Sequence, residues 1–165
     1  MGVAQRFYDA FTVRDWYTMS LLYAEHATFS DPVFPLLNAK GTRLMWQMLL
    51  SRAENFEVDV EILEDSAART RVNWVARYIF TATGRPVTNR VQTQMQLVAG
   101  KIVRHEDKFS FWSWSAHALG AKGALLGWTP LVRNKVRAQA AASLQDFARK
   151  MQQAAGSARR NSNDH

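Results

Sequence analysis

A chain of 165 residues and 18.8 kDa, with 47% hydrophobic, 12% aromatic and 21% charged residues, can bury the core of one domain and is not disordered by composition. It has no cysteine, which excludes disulfides, thiolate metal sites and a cysteine nucleophile, and its apolar runs are too short for a membrane-crossing helix. The net charge of +7 is uneven: residues 1–115 carry 13 Lys+Arg against 12 Asp+Glu, and residues 116–165 carry 8 against 2. With no nucleic-acid-binding motif beside it, the basic segment reads as a solvated helix face, so neither a nucleic-acid partner nor stable membrane association is expected. Met1–Phe11 lacks the basic-then-apolar layout of a secretory leader, and the expected location is the cytoplasm.

Helical periodicity dominates the first fifty residues. Val3, Phe7, Tyr8 and Phe11 recur at helical spacing, and Trp16, Met19, Leu22 and Tyr23 continue the pattern after a break at which Asp15 suits an N-cap. Ala27–Phe29 reads as a short strand ended by Asp31-Pro32, and His26 as a helix-end residue. A third helix follows Lys40-Gly41-Thr42, its apolar face formed by Leu44, Met45, Met48 and Leu49. From Phe56 the period falls to two. Phe56–Ile62, Thr70–Phe80, Asn89–Leu97 and Ile102 to about Trp114 read as four strands joined by short turns, hence a curved antiparallel meander. The fold class expected is α+β: a cone-shaped α+β barrel in which three N-terminal helices pack in a curved four-stranded sheet, with a C-terminal helical extension. In that extension, Ser115–Leu126 reads as a short helix, and Thr129-Pro130 opens a second whose stripe is Val132, Val136, Ala140, Leu144, Phe147 and Met151. The expected organisation is one domain over 1–115, the extension over 116–155 and a disordered tail over 156–165.

The last strand carries the chemistry. Alternation places Val103, His105, Asp107, Phe109 and Phe111 on its inner face, and Ile102, Arg104, Glu106, Lys108 and Ser110 outside. An inward carboxylate costs several kcal/mol unless paired or wet, so His105 and Asp107 form either a satisfied structural network or a tuned proton-transfer site. Asp31, at the end of an apolar run, is expected at the mouth of the same interior. A hollow cone would be walled by Phe7, Phe11, Trp74, Tyr78, Thr93, Met95 and Phe109, and its ligand would be a small apolar molecule. No metal-ligand spacing and no glycine-rich phosphate loop occur, so neither a metal nor a cofactor is expected.

Three helices, an Asp-Pro and a curved four-stranded meander resemble the nuclear transport factor 2-like superfamily over roughly residues 3–115, nearest its SnoaL-like and ketosteroid-isomerase-like branches. Gln5–Val33 (QRFYDAFTVRDWYTMSLLYAEHATFSDPV) is similar to the ketosteroid isomerase layout without a gap. The resemblance places Asp31 on that family's general base, which moves a proton α to a carbonyl. It places the tyrosine oxyanion donor on Phe7, which has no hydroxyl, and the protonated aspartate on Thr93, or on Gln92 if the hairpin is aligned without a gap. Tyr8 is adjacent to Phe7 but turned about 100° around the helix. Loss of one oxyanion donor costs about 10²–10³ in rate, so steroid isomerisation is not implied. His105 and Asp107 instead look like the SnoaL-type polyketide cyclases, and RHEDKFSFWSW with ALGAKGALLGWTP is similar to a group of bacterial and fungal relatives.

Two functions follow. One is an isomerase- or cyclase-type enzyme in which Asp31 or Asp107 is the base and His105 orients it or stabilises an oxyanion, with epoxide hydrolysis ranked lower. The other is a non-catalytic ligand-binding or dimerisation module. A homodimer is expected in either case, through the flat polar face of Arg90, Gln92, Gln94, Gln96, Arg104 and Glu106.

Overall fold

The structure, a computed structural model, describes residues 1–163. In chain order it has α1 (Val3–Thr12), α2 (Trp16–Leu21), β1 (Tyr23–Ser30), β2 (Leu37–Asn38), α3 (Ala39–Arg52), β3 (Glu54–Asp65), β4 (Arg69–Phe80), β5 (Arg85–Val98), β6 (Lys101–Lys108), α4 (Phe111–Leu119), α5 (Ala121–Leu126) and α6 (Pro130–Asn163). The strands form one curved sheet in the order β2-β1-β6-β5-β4-β3. The expected α+β fold and the β3–β6 meander hold, and the curved, unclosed sheet has six strands because β1 and β2 join it.

Local chemistry explains most boundaries. Asp15 caps α2 by accepting from the Thr18 amide at 3.0 Å, and Asn38 caps α3 through the Gly41 amide. Gly2 offers α1 no side chain, and Asp65 from the end of β3 accepts from the Ala4 and Gln5 amides instead. α1 buries Phe7, Tyr8 and Phe11 against the concave sheet, where edge-to-face ring pairs connect Phe11 to Phe56, Trp74 and Trp46.

Several elements differ from the sequence expectation. β1 is eight residues long and begins at Tyr23, so Tyr23 is not helical and His26 is an exposed strand residue. β1 runs parallel to β6, a pairing that local periodicity does not show. α3 is covered by the sheet on one side and by α6 on another, so its buried set is Ala39, Thr42, Met45, Trp46, Met48 and Leu50, and Leu49 is exposed. The pairing of β5 with β6 slips between Gln96 and Leu97, so Ile102 turns inward ahead of His105 and Val103 is only half-buried. β6 stops at Lys108, not Trp114, because the Ser110 hydroxyl caps a new helix at the Ser113 amide. In that helix Phe111, Trp114, Ser115 and Ala118 share one buried face, a spacing that the alternating Trp-Ser-Trp-Ser run disguises as a strand. Gly120, at φ 66° and ψ −139°, breaks the expected single helix into α4 and α5. α6 lays Leu144, with Ala140 and Phe147, against the core and continues to Asn163. Residues 156–163 are therefore helical where a disordered tail was expected: the run QQAAGSARR is rich in good helix formers and has no proline. The last two residues of that expected tail lie outside the described residues.

Candidate functional site

Sheet register brings the predicted polar groups to one level. In β1 and β6, Phe29 pairs with His105 and Ser30 with Glu106, so Asp31, one residue on, lies level with Asp107. Across β5, Met95 pairs with His105 and Thr93 with Asp107. Strand parity then turns His105, Asp107 and Thr93 inward, where they are 1%, 4% and 1% exposed.

These residues form one hydrogen-bonded chain. The Trp46 indole donates to the Tyr23 hydroxyl oxygen at 2.9 Å, and Tyr23 Oη lies 2.7 Å from His105 Nδ1. His105 Nε2 lies 2.9 Å from Asp107 Oδ1. From the other side, the Trp74 indole donates to Thr93 Oγ1 at 2.8 Å, and the Thr93 hydroxyl donates to the same Asp107 oxygen. An indole only donates and the Asp107 carboxylate only accepts, so with a neutral imidazole between them the direction of each bond is set. Tyr23, accepting from Trp46, donates to Nδ1. His105 is then the Nε2–H tautomer and donates to Asp107, a tautomer assigned from the network. Both arms end on one carboxylate oxygen.

The rings of Phe7, Phe29, Tyr23 and Trp46 enclose the imidazole, with centroids 5.0–6.1 Å away. Phe7, Phe11, Thr93 and Met95 are fully buried, and Trp74 is 9% exposed. Of the expected walls, Tyr78 and Phe109 are half-buried and, with Val33, lie between the main core and a smaller cluster under α4 and α6. Sequence reading missed Tyr23 and Trp46, because the helix assigned to residues 16–23 hid the strand position of Tyr23. It also set Tyr8 aside. α1 is buried on more than one side, so the Tyr8 phenol reaches the same interior as Phe7. Burial pushes its hydroxyl well above 10, the Asp107 charge adds to this, and hydrogen bonding toward Thr93 opposes it.

Asp31 differs from Asp107. It is half-buried, and its Oδ1 accepts from the Val33 amide at 2.7 Å and from the Phe34 amide, while the Asp31 amide donates to the Phe34 carbonyl at 2.9 Å. This Asx turn engages one carboxylate oxygen and leaves the other unbonded among the described residues. Burial raises the Asp31 carboxyl from 3.8 to about 7; the Phe34 amide opposes the rise, and the Asp107 charge adds to it. Tyr78 is also raised by burial, with the Asp31 charge adding and the Trp114 indole, donating to Tyr78 Oη at 3.0 Å, opposing. α6 covers this end of the sheet, with Arg137 Nε donating to the Pro32 carbonyl at 2.9 Å. Beside that contact, Phe34, Leu36, Leu37, Ala141, Leu144 and Ala148 line a groove of about 290 Å³. No cluster of three or more His, Cys, Asp or Glu able to hold a metal occurs among the described residues, and no helix there is long and apolar enough to cross a membrane.

Comparison with known families matches residues 4–105 to the family described as SnoaL-like domain. Comparison with curated proteins found no match. Among solved structures, a protein of Catenulispora acidiphila DSM 44928 with a ketosteroid isomerase-like fold, solved in complex with trimethylamine, is 16% identical over 78% of this chain and 97% of its own, with a TM-score of 0.62. IdmH of Streptomyces antibioticus, a candidate polyketide cyclase, is 20% identical over 72% and 96% (TM-score 0.58). An M. tuberculosis LEH-like epoxide hydrolase is 20% identical over 79% and 92% (TM-score 0.53). At these identities the likeness shows the fold.

Proposed function

The chain belongs to the SnoaL-like domain family, and on that footing we propose that it is a small-molecule enzyme that moves a proton next to a carbonyl group, with Asp31 as the base. The observation that carries this reading is the Asp31 carboxyl itself: half-buried, held through one oxygen by two backbone amides, with a proton affinity poised near 7. A base of that affinity is about half ionised at neutral pH, so it can both take a proton and return it readily. In the reaction, the free Asp31 oxygen takes the α-proton of an apolar carbonyl compound as negative charge builds on the carbonyl oxygen. The protonated Asp31 then returns the proton at a second carbon, completing an isomerisation, or the enolate carbon attacks an internal carbonyl and Asp31 returns the proton to the alkoxide oxygen so formed, completing a cyclisation.

Tyr78 supplies the donor to the developing oxyanion. Its oxygen already accepts from Trp114, so its own proton is free to point at a ligand. Phe109 and Val33 complete the apolar wall at this level. His105 has both nitrogens engaged and is sealed by rings, so it acts as a positioning residue, and Asp107 tunes Asp31 by its charge. This ranks Asp31 above Asp107, which sequence left open. The same reading includes a homodimer through the exposed outer faces of β5 and β6, at Arg90, Gln92, Gln94, Gln96 and Arg104.

One observation favours a second reading, a non-catalytic binding module: the His105–Asp107 pair is as fully satisfied as a structural network would be. Deuterium incorporation separates the two. Apolar ketones and β-dicarbonyl compounds are incubated with the protein in D₂O, and exchange at the α-carbon is followed by NMR. Asp31→Asn should slow exchange by about 10²-fold or more and Tyr78→Phe by about 10-fold or more. Unchanged exchange in Asp31→Asn removes Asp31 as the base, and no exchange with any compound favours the binding module.

A further inference from the structure

The short helix α5 is turned inside out. Its glycines face the protein: Gly123 and Gly127 are buried, and a Cβ on Gly123 would sit 1.8 Å from the Ser115 carbonyl oxygen. Its leucines face outward, with Leu125 at 72% and Leu126 at 51% exposure. Only glycine lets α5 approach the Ser115 backbone this closely, so packing accounts for the inward glycines but not for the outward leucines.

The exposed apolar surface extends beyond α5. Trp128, 69% exposed, is held against it by an indole bond to the Leu125 carbonyl at 3.0 Å, and Trp112, 50% exposed, by one to the Ala124 carbonyl at 3.0 Å. Leu131, 78% exposed, follows at the start of α6. Five large side chains on α5 and on the segments joined to it are thus exposed, and both indole N–H groups are satisfied by the protein itself. An apolar patch of this kind on a folded surface marks an interaction site.

Charge identifies the occupant. From Lys108 to Gln145 the chain carries five basic residues and no acidic one. Lys122 precedes Leu125 and Leu126 by three and four residues, and Lys135 follows Leu131 by four, so helical spacing sets each beside the apolar side chains. Arg133 lies over the Phe111 ring, next to Trp112. Like charge opposes pairing of two such patches from identical chains. Exposed tryptophan and leucine rimmed by lysine and arginine match a membrane interface, where indoles sit at headgroup level and cations meet anionic lipid.

We propose that the surface formed by Trp112, Leu125, Leu126, Trp128 and Leu131 docks this protein on an anionic lipid bilayer without crossing it. This departs from the expectation of no stable membrane association, and it does not depend on the catalytic reading of Asp31. Docking would set the protein beside a reservoir of apolar molecules.

The test is flotation of the full chain with large unilamellar vesicles of phosphatidylcholine, alone or mixed equally with phosphatidylglycerol. The mixed vesicles should carry the protein up, with a blue shift of tryptophan emission, and pure phosphatidylcholine should bind about tenfold less or weaker still. Trp128→Ala with Leu131→Ser should reduce binding to the mixed vesicles about tenfold or more, and so should Lys122→Glu with Lys135→Glu, at an unchanged unfolding midpoint. All four side chains are exposed, so folding is not at risk. Absence of binding to mixed vesicles overturns the proposal, as does equal binding to pure phosphatidylcholine or full binding by either double variant. A dimer that Trp128→Ala with Leu131→Ser dissociates, in the absence of vesicle binding, assigns the surface to a second copy and overturns it as well.

Discussion

Asp31→Asn should stabilise the protein, and by an amount that depends on pH. The amide keeps an oxygen where the Val33 and Phe34 amides donate, so the Asx turn survives, and only the charge is removed. In the parent chain the folded carboxyl titrates near 7 and the unfolded one at 3.8. Between those values the folded state holds a proton that the unfolded state has released, so ionisation of Asp31 makes stability fall as pH rises through that window. At about 1.4 kcal/mol per unit, the penalty relative to neutral Asp31 is about 1.7 kcal/mol at pH 5 and about 4.3 kcal/mol at pH 8. Water at the exposed side of the carboxyl screens the charge, so the measured gap between variant and parent should widen by about 2 kcal/mol from pH 5 to pH 8. Urea unfolding followed by tryptophan fluorescence at both pH values reads this gap directly, because the other carboxylates titrate in both proteins and cancel. A gap independent of pH, or a variant less stable than the parent at pH 8, would refute the claim that a buried charge is held at Asp31.

Three other outcomes follow from the same geometry. Tyr23→Phe leaves the Trp46 indole and His105 Nδ1 without partners and should cost about 1–3 kcal/mol in urea unfolding; His105 should stay the Nε2–H tautomer, held by Asp107, while its Nδ1 ¹⁵N resonance shifts on losing the Tyr23 donor. Thr93→Val keeps the shape but strands the Trp74 indole and removes a donor from Asp107, for a similar cost, and loss of stability below about 0.3 kcal/mol would mean that the network is not formed. Gly123→Ala has no backbone strain to confound it, yet its Cβ would collide with the Ser115 carbonyl, so it should lower stability by about 1–3 kcal/mol, whereas α4 and α5 would have to be loosely packed for it to be neutral.

The parts of the fold that were legible in sequence are those where one face is buried and the other wet. The alternation in β4 and β5 placed Thr70, Val72, Trp74, Ala76, Val91, Thr93 and Met95 inward as the structure has them. Asp15, with Thr18 three residues on, announced a helix start correctly. What failed was decided elsewhere in the chain. The parallel pairing of β1 with β6 joins residues about 75 apart, and it alone brings Asp31 level with Asp107. Trp112-Ser-Trp114-Ser alternates like a strand, and the Ser110 cap determined that it is a helix. His105 and Asp107 stand out because two ionisable side chains on an otherwise apolar strand face are anomalous. Tyr23 and Trp46 look like ordinary core aromatics, and only their hydrogen bonds mark them.

The proposed base requires a carboxyl at residue 31 that keeps its proton to near-neutral pH. Carboxyl ¹³C NMR on protein labelled at aspartate, titrated from pH 3 to 9, measures it directly, with the Asp31 resonance identified by its loss in Asp31→Asn. The resonance should titrate near 7 and move to lower pH when Asp107 is replaced by Asn, since the Asp107 charge contributes to the rise. If the resonance that disappears in Asp31→Asn titrates below about 5 in the parent, Asp31 is an ordinary turn aspartate and the proposed base is wrong.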